Sequence, residues 1–359
     1  MSIDSSEMEI EKEHLKDTLK WLESEIKNIQ QNDKKLKMSI EDLRKQSRGK
    51  YNEELDTKEK LYNITHKSLE KYEESKEKPY FGRIDFREYK SEKETFYIGK
   101  FGLGDVENGD EKVIDWRAPL ADLYYSGVEG DTFYKSPVGV ISGKLSLKRK
   151  FLIENGNLKD AFDDGVNEIL LKSDNEEGNP LVDEFLKVNL NQSVNNRLKD
   201  VVATIQKEQN DIIRAEKNTT LIFQGTAGSG KTTVALHRLA YLLYRYKDKL
   251  GGKDVLVIAP NKLFLSYISD VLPDLGVDNV KQMTFEELCS KILHIKCKIY
   301  TKDKKLADIL ENKQCFSKKN MIYNSRIRGS ILYRKLIDDY IKYIGEKDLD
   351  LSLIHISEP

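Results

Sequence analysis

The sequence predicts an α/β protein in which an antiparallel helical coiled-coil hairpin and a β-rich module precede an open parallel-sheet domain, only part of which is present. Three observations predict it. A heptad of apolar residues runs along a Lys- and Glu-rich N-terminal stretch, short aromatic and β-branched runs separated by glycine follow, and past the midpoint the loop "GTAGSGKT" stands between a strand-like and a helix-like run.

The hairpin comes first, over residues 1–78. Leu15, Leu19, Leu22, Ile26, Ile29, Leu36, Ile40 and Leu43 step by alternating fours and threes, with Asp33 in the one skipped place, which is the seam of a helix that needs a partner. The phase breaks at "KQSRGK", where Gly49 would cost an uninterrupted helix about 1 kcal/mol, and Tyr51, Leu55, Tyr62, Leu69 and Tyr72 open a second seam in a new register. Two such helices around one turn make a rod roughly 50 Å long at 1.5 Å per residue.

Pro79 closes that stretch, and residues 79–155 read as the β-rich module, with runs such as "YFGRIDF", "TFYIGKFG" and "KLSLKRKFLI". Within it "VIDWRAP" sets Asp115, Trp116 and Arg117 together, which reads as a buried structural corner rather than a reactive site. "NGN" at Asn155–Asn157 reads as the end of the module, and residues 156–200 as a helical linker. Residues 201–295 then run helix, strand "TTLIFQ", glycine loop, long helix and strand "DVLVIAP", a βαβ unit. Residues 296–359 are mostly helical. The closing "LSLIHISEP" fits no element expected there and reads as foreign to a chain that is a piece of something longer.

Composition limits the rest. Sixty basic side chains nearly cancel 61 acidic ones among 359 residues, so any preference for nucleic acid must come from local patches. Cys289, Cys297 and Cys315 form no CxxC pair and read as reduced thiols, and Cys289, His294 and Cys297 lack a fourth ligand at zinc spacing. No apolar run has the pattern of a signal peptide or the length of a membrane span, so the expectation is a cytoplasmic protein with no membrane partner.

The loop carries the chemistry. Gly225, Thr226, Ala227, Gly228, Ser229, Gly230, Lys231 and Thr232 satisfy GxxxxGK[ST] in full. Glycines let the backbone curl its N–H groups toward phosphate oxygens, the following helix points its positive end at them, Lys231 reaches the outer phosphates and Thr232 takes a place on Mg²⁺. Lys231 and Thr232 are therefore the candidate catalytic residues, with Thr232 the metal ligand. Turnover also needs an acidic strand end, and no apolar strand ending in a paired acidic motif follows Pro260. Hydrolysis by this stretch alone is expected to be negligible.

"ATIQKEQNDIIRAE", "QGTAGSGKTTVALHRLAYLLY", "VIAPN" and "QMTFEELC" resemble the first, RecA-like motor domain (1A) of the UvrD/Rep-like superfamily 1 helicases. With the charged hairpin, "PYFGRIDF", "VIDWRAPLADLYY" and "SPVGVISGKLSLKR" ahead of them, the chain looks like the HelD family of RNA polymerase-associated, helicase-like ATPases, over nearly its whole length to about Leu288. The resemblance implies ATP and Mg²⁺ as ligands. It places Gln209 at the adenine edge, with Gln206 as the runner-up, and Thr233 beside the nucleotide, where an arginine is common. It puts Asn261, Thr284 and Phe285 where superfamily members touch single-stranded DNA, although Glu286 stands where histidine is common. It implies bacterial RNA polymerase as the partner, engaged through residues 1–78, and ATP-driven remodelling or release of stalled complexes. The hairpin tip, Arg44 to Lys50, is basic, so no delivery of carboxylates to a catalytic metal is expected of it. The alternative implied is a superfamily 1 DNA helicase or translocase in DNA repair.

Overall fold

The computed structural model describes residues 3–47, 51–105, 109–163, 201–226, 228–294, 302–311 and 315–356. It divides into two compact units, Met1–Val257 with Leu263–Gln282, and Ile258–Lys262 with Met283–Pro359.

The first unit opens on α1 (Ser5–Ser47) and α2 (Glu53–Glu74). Asn52 starts α2 by accepting the Glu54 and Leu55 N–H groups at 2.9 and 3.3 Å. Arg44 reaches Glu59, Asp33 reaches His66 and Gln30 reaches Glu73, so partners farther back on α1 lie farther forward on α2 and the helices run antiparallel. The tip residues 48–50, where the sequence phase breaks, lie outside the described residues.

A mixed sheet follows: β1 (Gly82–Glu88), β2 (Glu94–Gly99), β3 (Leu103–Gly104), β4 (Glu111–Asp115), β5 (Gly130–Ser136), β6 (Gly139–Glu154) and β7 (Asn157–Asp163). Its order is β3-β4-β2-β1-β6-β5, with β7 also on β6, and the β2–β4 pair is parallel while the others are antiparallel. Sixteen residues make β6 long enough to pair with β5 near its start and β7 near its end. Here the sequence reading needs correction. Asn155 and Gly156, with φ of 48° and 71°, are the two-residue turn of a β6–β7 hairpin, so the chain after "NGN" re-enters the sheet instead of opening a helical linker. Residues 164–200, the rest of that expected linker, lie outside the described residues.

The sheet separates two cores. Alternation along β2 sends Tyr97 to one face, where it packs with Tyr80, Phe151, Leu103 and the α1 side chains Leu15, Leu22, Ile26 and Ile29. Ile98 goes to the other face, with Phe81, Ile84, Trp116, Leu123 of α3 (Asp122–Ser126), and side chains of the nucleotide-loop region. On the first face Glu11, fully buried on α1, accepts from Arg83 at 2.7 Å, Arg149 at 2.8 Å and Tyr97 at 3.1 Å. Arg83 also grips Asp85, and Arg149 grips Asp163, each through two bonds. Burial alone would lower both guanidiniums, yet the carboxylates beside them hold both above the ordinary arginine value.

Beyond a 3₁₀ turn (Val201–Thr204) come α4 (Lys207–Arg214), α5 (Lys231–Arg245), β8 (Leu256–Ala259), α6 (Lys262–Asp274) and β9 (Lys281–Thr284). The expected strand "TTLIFQ", Thr219–Gln224, is extended but has no place in a sheet, and Ile222 is 90% exposed. A parallel strand of this kind is stable only with paired neighbours and covered faces, and β8 pairs with β9 alone in a two-stranded sheet. The βαβ unit is therefore incomplete among the described residues.

In the second unit, α7 (Phe285–Ile292) starts on a reciprocal cap: Thr284 Oγ1 accepts the Glu287 N–H at 3.3 Å, and the Glu287 carboxylate accepts the Thr284 N–H at 3.0 Å. Then follow α8 (Lys302–Glu311), α9 (Cys315–Arg328) and α10 (Ile331–Ile356), which carries helix through the first six residues of "LSLIHISEP". No described helix is long and apolar enough to cross a membrane.

Candidate nucleotide-binding site

The glycine loop is shaped by three residues whose backbones demand glycine or nearly so. Gly228 and Gly230 are left-handed, with φ of 84° and 76°. A Cβ on Gly225 would stand 2.5 Å from Ser229 Oγ, so a side chain there would force that hydroxyl to move. Space beside Gly228 is open. Gly230 immediately precedes α5 and offers no side-chain cap to its first N–H groups, which stay available to an anion.

Lys231, the first residue of α5, folds its ammonium back onto the loop and donates to the carbonyls of Gly225 at 2.9 Å and Thr226 at 2.5 Å. Thr232 and Thr233 follow in the first turn, and the Thr233 carbonyl accepts His237 Nδ1 at 2.7 Å. Ala227 lies outside the described residues. The structure separates the two candidate glutamines. Gln209 Oε1 accepts the Gln206 N–H at 3.1 Å, which places Gln206 at the start of α4, while Gln209 Nε2 comes within 3.6 Å of the Cβ position of Gly230. Gln209 is thus the one that meets the loop.

Open space beside left-handed Gly228, uncapped helix N–H groups, an ammonium and a hydroxyl form a donor set suited to a triphosphate and its metal. Lys231 would hold the outer phosphates, Thr232 the Mg²⁺, and Gln209 the base. When bound, nucleotide and Mg²⁺ supply the anhydride to be cleaved and the charge that neutralises it. Neither β8 nor β9 ends on a carboxylate, so the acidic half of such a site is not among these elements.

Behind the loop lies a polar framework of which the sequence reading saw only the buried Asp115–Trp116–Arg117 corner. Arg238, buried on α5, donates to the carbonyls of Ile212, Ile213, Ala215 and Glu216 at 2.6–3.2 Å, closing the C-terminal end of α4. Arg214 donates to the Trp116 and Ala118 carbonyls at 2.7 and 3.1 Å, and Asn210 donates to Asp122 and Ser126. Arg117, paired twice with Asp115, lies 4.8 Å over the Tyr244 ring, and burial with Asp115 nearby pushes that phenol up to about 12. One signal was available: Arg238 stands four residues after Val234, in the apolar phase of α5, where a solvated arginine would not be placed.

Asn261, Thr284 and Phe285 belong to the second unit, Asn261 just past β8 and Thr284 at the end of β9. A 3.4 Å Lys262–Glu287 pair ties the two strand ends together, and Phe285 is 63% exposed beside them.

Two family models match. Residues 8–178 match the N-terminal domain of DNA helicase IV HelD, and residues 187–347 match the res subunit of type III restriction enzymes, a helicase-like domain that spans the glycine loop. Together the two matches support a HelD-like helicase family. A search of curated proteins returned no match. In this HelD-like chain the first match covers both helices of the hairpin and the whole sheet, and the second covers Gln209, the loop and the strand ends, so its architecture is that of a helicase-like ATPase.

Proposed function

We propose that the protein is an ATP-binding, helicase-like factor that engages bacterial RNA polymerase through residues 1–78 and uses ATP to remodel or release stalled complexes in the cytoplasm. The observation that supports this reading is the anchoring of the antiparallel helices α1 and α2 at one end. Side chains that enter the sheet's core are confined to Met8–Ile29 on α1 and to Leu69 and Tyr72 on α2. Beyond them roughly 25 Å of paired helix carries only its own seam, a narrow charged rod held at its base and suited to entering a channel.

The test replaces residues 34–65 with a short Gly/Ser linker, which the Asp33–His66 contact allows because those positions already touch. Purified RNA polymerase is expected to be captured by the intact chain and not by the shortened one. Lys231→Ala should leave capture unchanged and, in the complete motor, abolish ATP-driven release. Equal capture by both chains would overturn the assignment to the hairpin. A second reading, a DNA helicase or translocase, rests on exposed Phe285 beside Asn261 and Lys262, where a base could stack. It gains if polymerase is not captured and single-stranded DNA is bound in a salt-sensitive way.

A further inference from the structure

The contacts behind the glycine loop form a closed circuit. Trp116, 2% exposed at the end of β4, sets its ring 5.5 Å from that of His237, in the second turn of α5. His237 is 1% exposed, and its Nδ1 faces the Thr233 carbonyl, which can only accept, so Nδ1 carries the proton and Nε2 is bare; no described group bonds to it. The turn that Trp116 begins also holds α4. Its carbonyls at Trp116 and Ala118 accept from Arg214, and Asp122 and Ser126 of the following α3 accept from Asn210, itself 1% exposed and bonded to Arg214 at 2.9 Å. Arg238 then fixes the end of α4 to α5.

Turn to α4, α4 to α5, and α5 back to turn are therefore joined by directional bonds to backbone carbonyls and by a large ring wedge, not by apolar packing alone. Gln209 adjoins Asn210 on α4, and Gly230 adjoins Lys231 on α5. Their separation is the dimension this circuit sets.

We propose that Trp116 and Arg214 are positioning residues for the nucleotide site, so that the β-rich module fixes where Gln209 and the glycine loop stand and is in turn sensed by, and sensitive to, bound nucleotide. The proposal rests on the reading of the loop as an ATP site. By linkage, a ligand that changes nucleotide affinity by displacing the Asp115–Ser126 segment has its own affinity changed by nucleotide by the same factor. The module that carries α1 and α2 on its other face is then part of the nucleotide-binding machine and not a passive mount.

The chain supplies its own reporter, because Trp21 and Trp116 are its two tryptophans. In the full chain carrying Trp21→Phe, titration with Mg·ATPγS is expected to change Trp116 emission saturably, and the further substitution Lys231→Ala should abolish the change. Calorimetry on the Arg214→Lys chain should show Mg·ATPγS bound about tenfold more weakly, from loss of charged hydrogen bonds to the turn, with Mg·GTPγS binding little altered because Gln209 is the base contact displaced. General loss of stability would weaken both nucleotides alike and would overturn the positioning role. Flat Trp116 emission together with wild-type affinities in Arg214→Lys, in a chain whose Lys231-dependent ATPγS binding is intact, would overturn the coupling while leaving the nucleotide site standing. Failure of the unsubstituted chain to bind either nucleotide would overturn the ATP reading and the coupling with it.

Discussion

At the scale of single residues, the fold's most consequential positions are polar ones in apolar places. Glu11 lies four residues before Leu15, one place off the three that the alternating seam calls for, so neither phase nor charge marked it and the seam was read from Leu15 onward. Only the sheet shows why a carboxylate belongs there: it meets Arg83 and Arg149 on β1 and β6. Glu11→Gln keeps the shape and removes the charge, leaving Arg83 with Asp85 and Arg149 with Asp163 as carboxylate partners. The expected loss is on the order of 1.5–3 kcal/mol, read as a lower urea midpoint with an unchanged slope. His237 gives a second prediction, in pH. Burial lowers its pKa below the ordinary 6.5, with Lys100 adding to the fall against the Thr233 bond that raises it. The unfolded chain then takes up a proton more readily than the folded one, so stability from the neutral ring is full above about pH 6.5 and falls as pH drops below it. His14, stacked on Tyr97, shifts the same way by burial. His237→Asn, which keeps a donor near the Thr233 carbonyl, should shrink the loss of melting temperature between pH 7.5 and 5.5 without removing His14's share. An unchanged loss would mean that His237 is not the group being titrated.

At the scale of elements, period and punctuation were legible and partnership was not. The seam of α1, the new helix that opens after it and the glycine loop with its helix could all be read because each depends on neighbours within a few turns. The Asn155–Gly156 turn was misread for a physical reason. The same dipeptide ends a strand or reverses it, and only the sheet position of Leu158 and Ala161, paired to β6 on the core side, decides. Thr219–Gln224 failed the other way, since its composition suits a buried strand but a strand exists only in its ladder. The start of α2 is a local feature with a local test. Asn52→Ala removes the acceptor for two N–H groups and should cost about 1 kcal/mol, seen as faster amide exchange at Glu54 and Leu55. Protection unchanged at both amides would show that water replaces the cap without penalty.

At the scale of the whole first unit, the hairpin and the sheet share one core, which changes what a truncation can mean. Removing residues 1–78 would strip Leu15, Leu22, Ile26, Ile29, Leu69 and Tyr72 from contact with Tyr80, Tyr97, Leu103, Val113 and Phe151, and would take Glu11 from two arginines. At about 1.5–3 kcal/mol for each large apolar side chain buried, the loss is on the order of 10 kcal/mol, comparable with the whole stability of a domain. The chain lacking residues 1–78 should therefore lose its cooperative melt and aggregate on size exclusion. Replacing only residues 34–65 removes no side chain from that core, and this shortened chain should melt cooperatively within a few degrees of the intact one. A monodisperse, cooperatively melting chain without residues 1–78 would show instead that the sheet closes its own core. The difference matters for function, because loss of a partner on removing the entire hairpin would report unfolding, whereas loss on shortening it reports the rod itself.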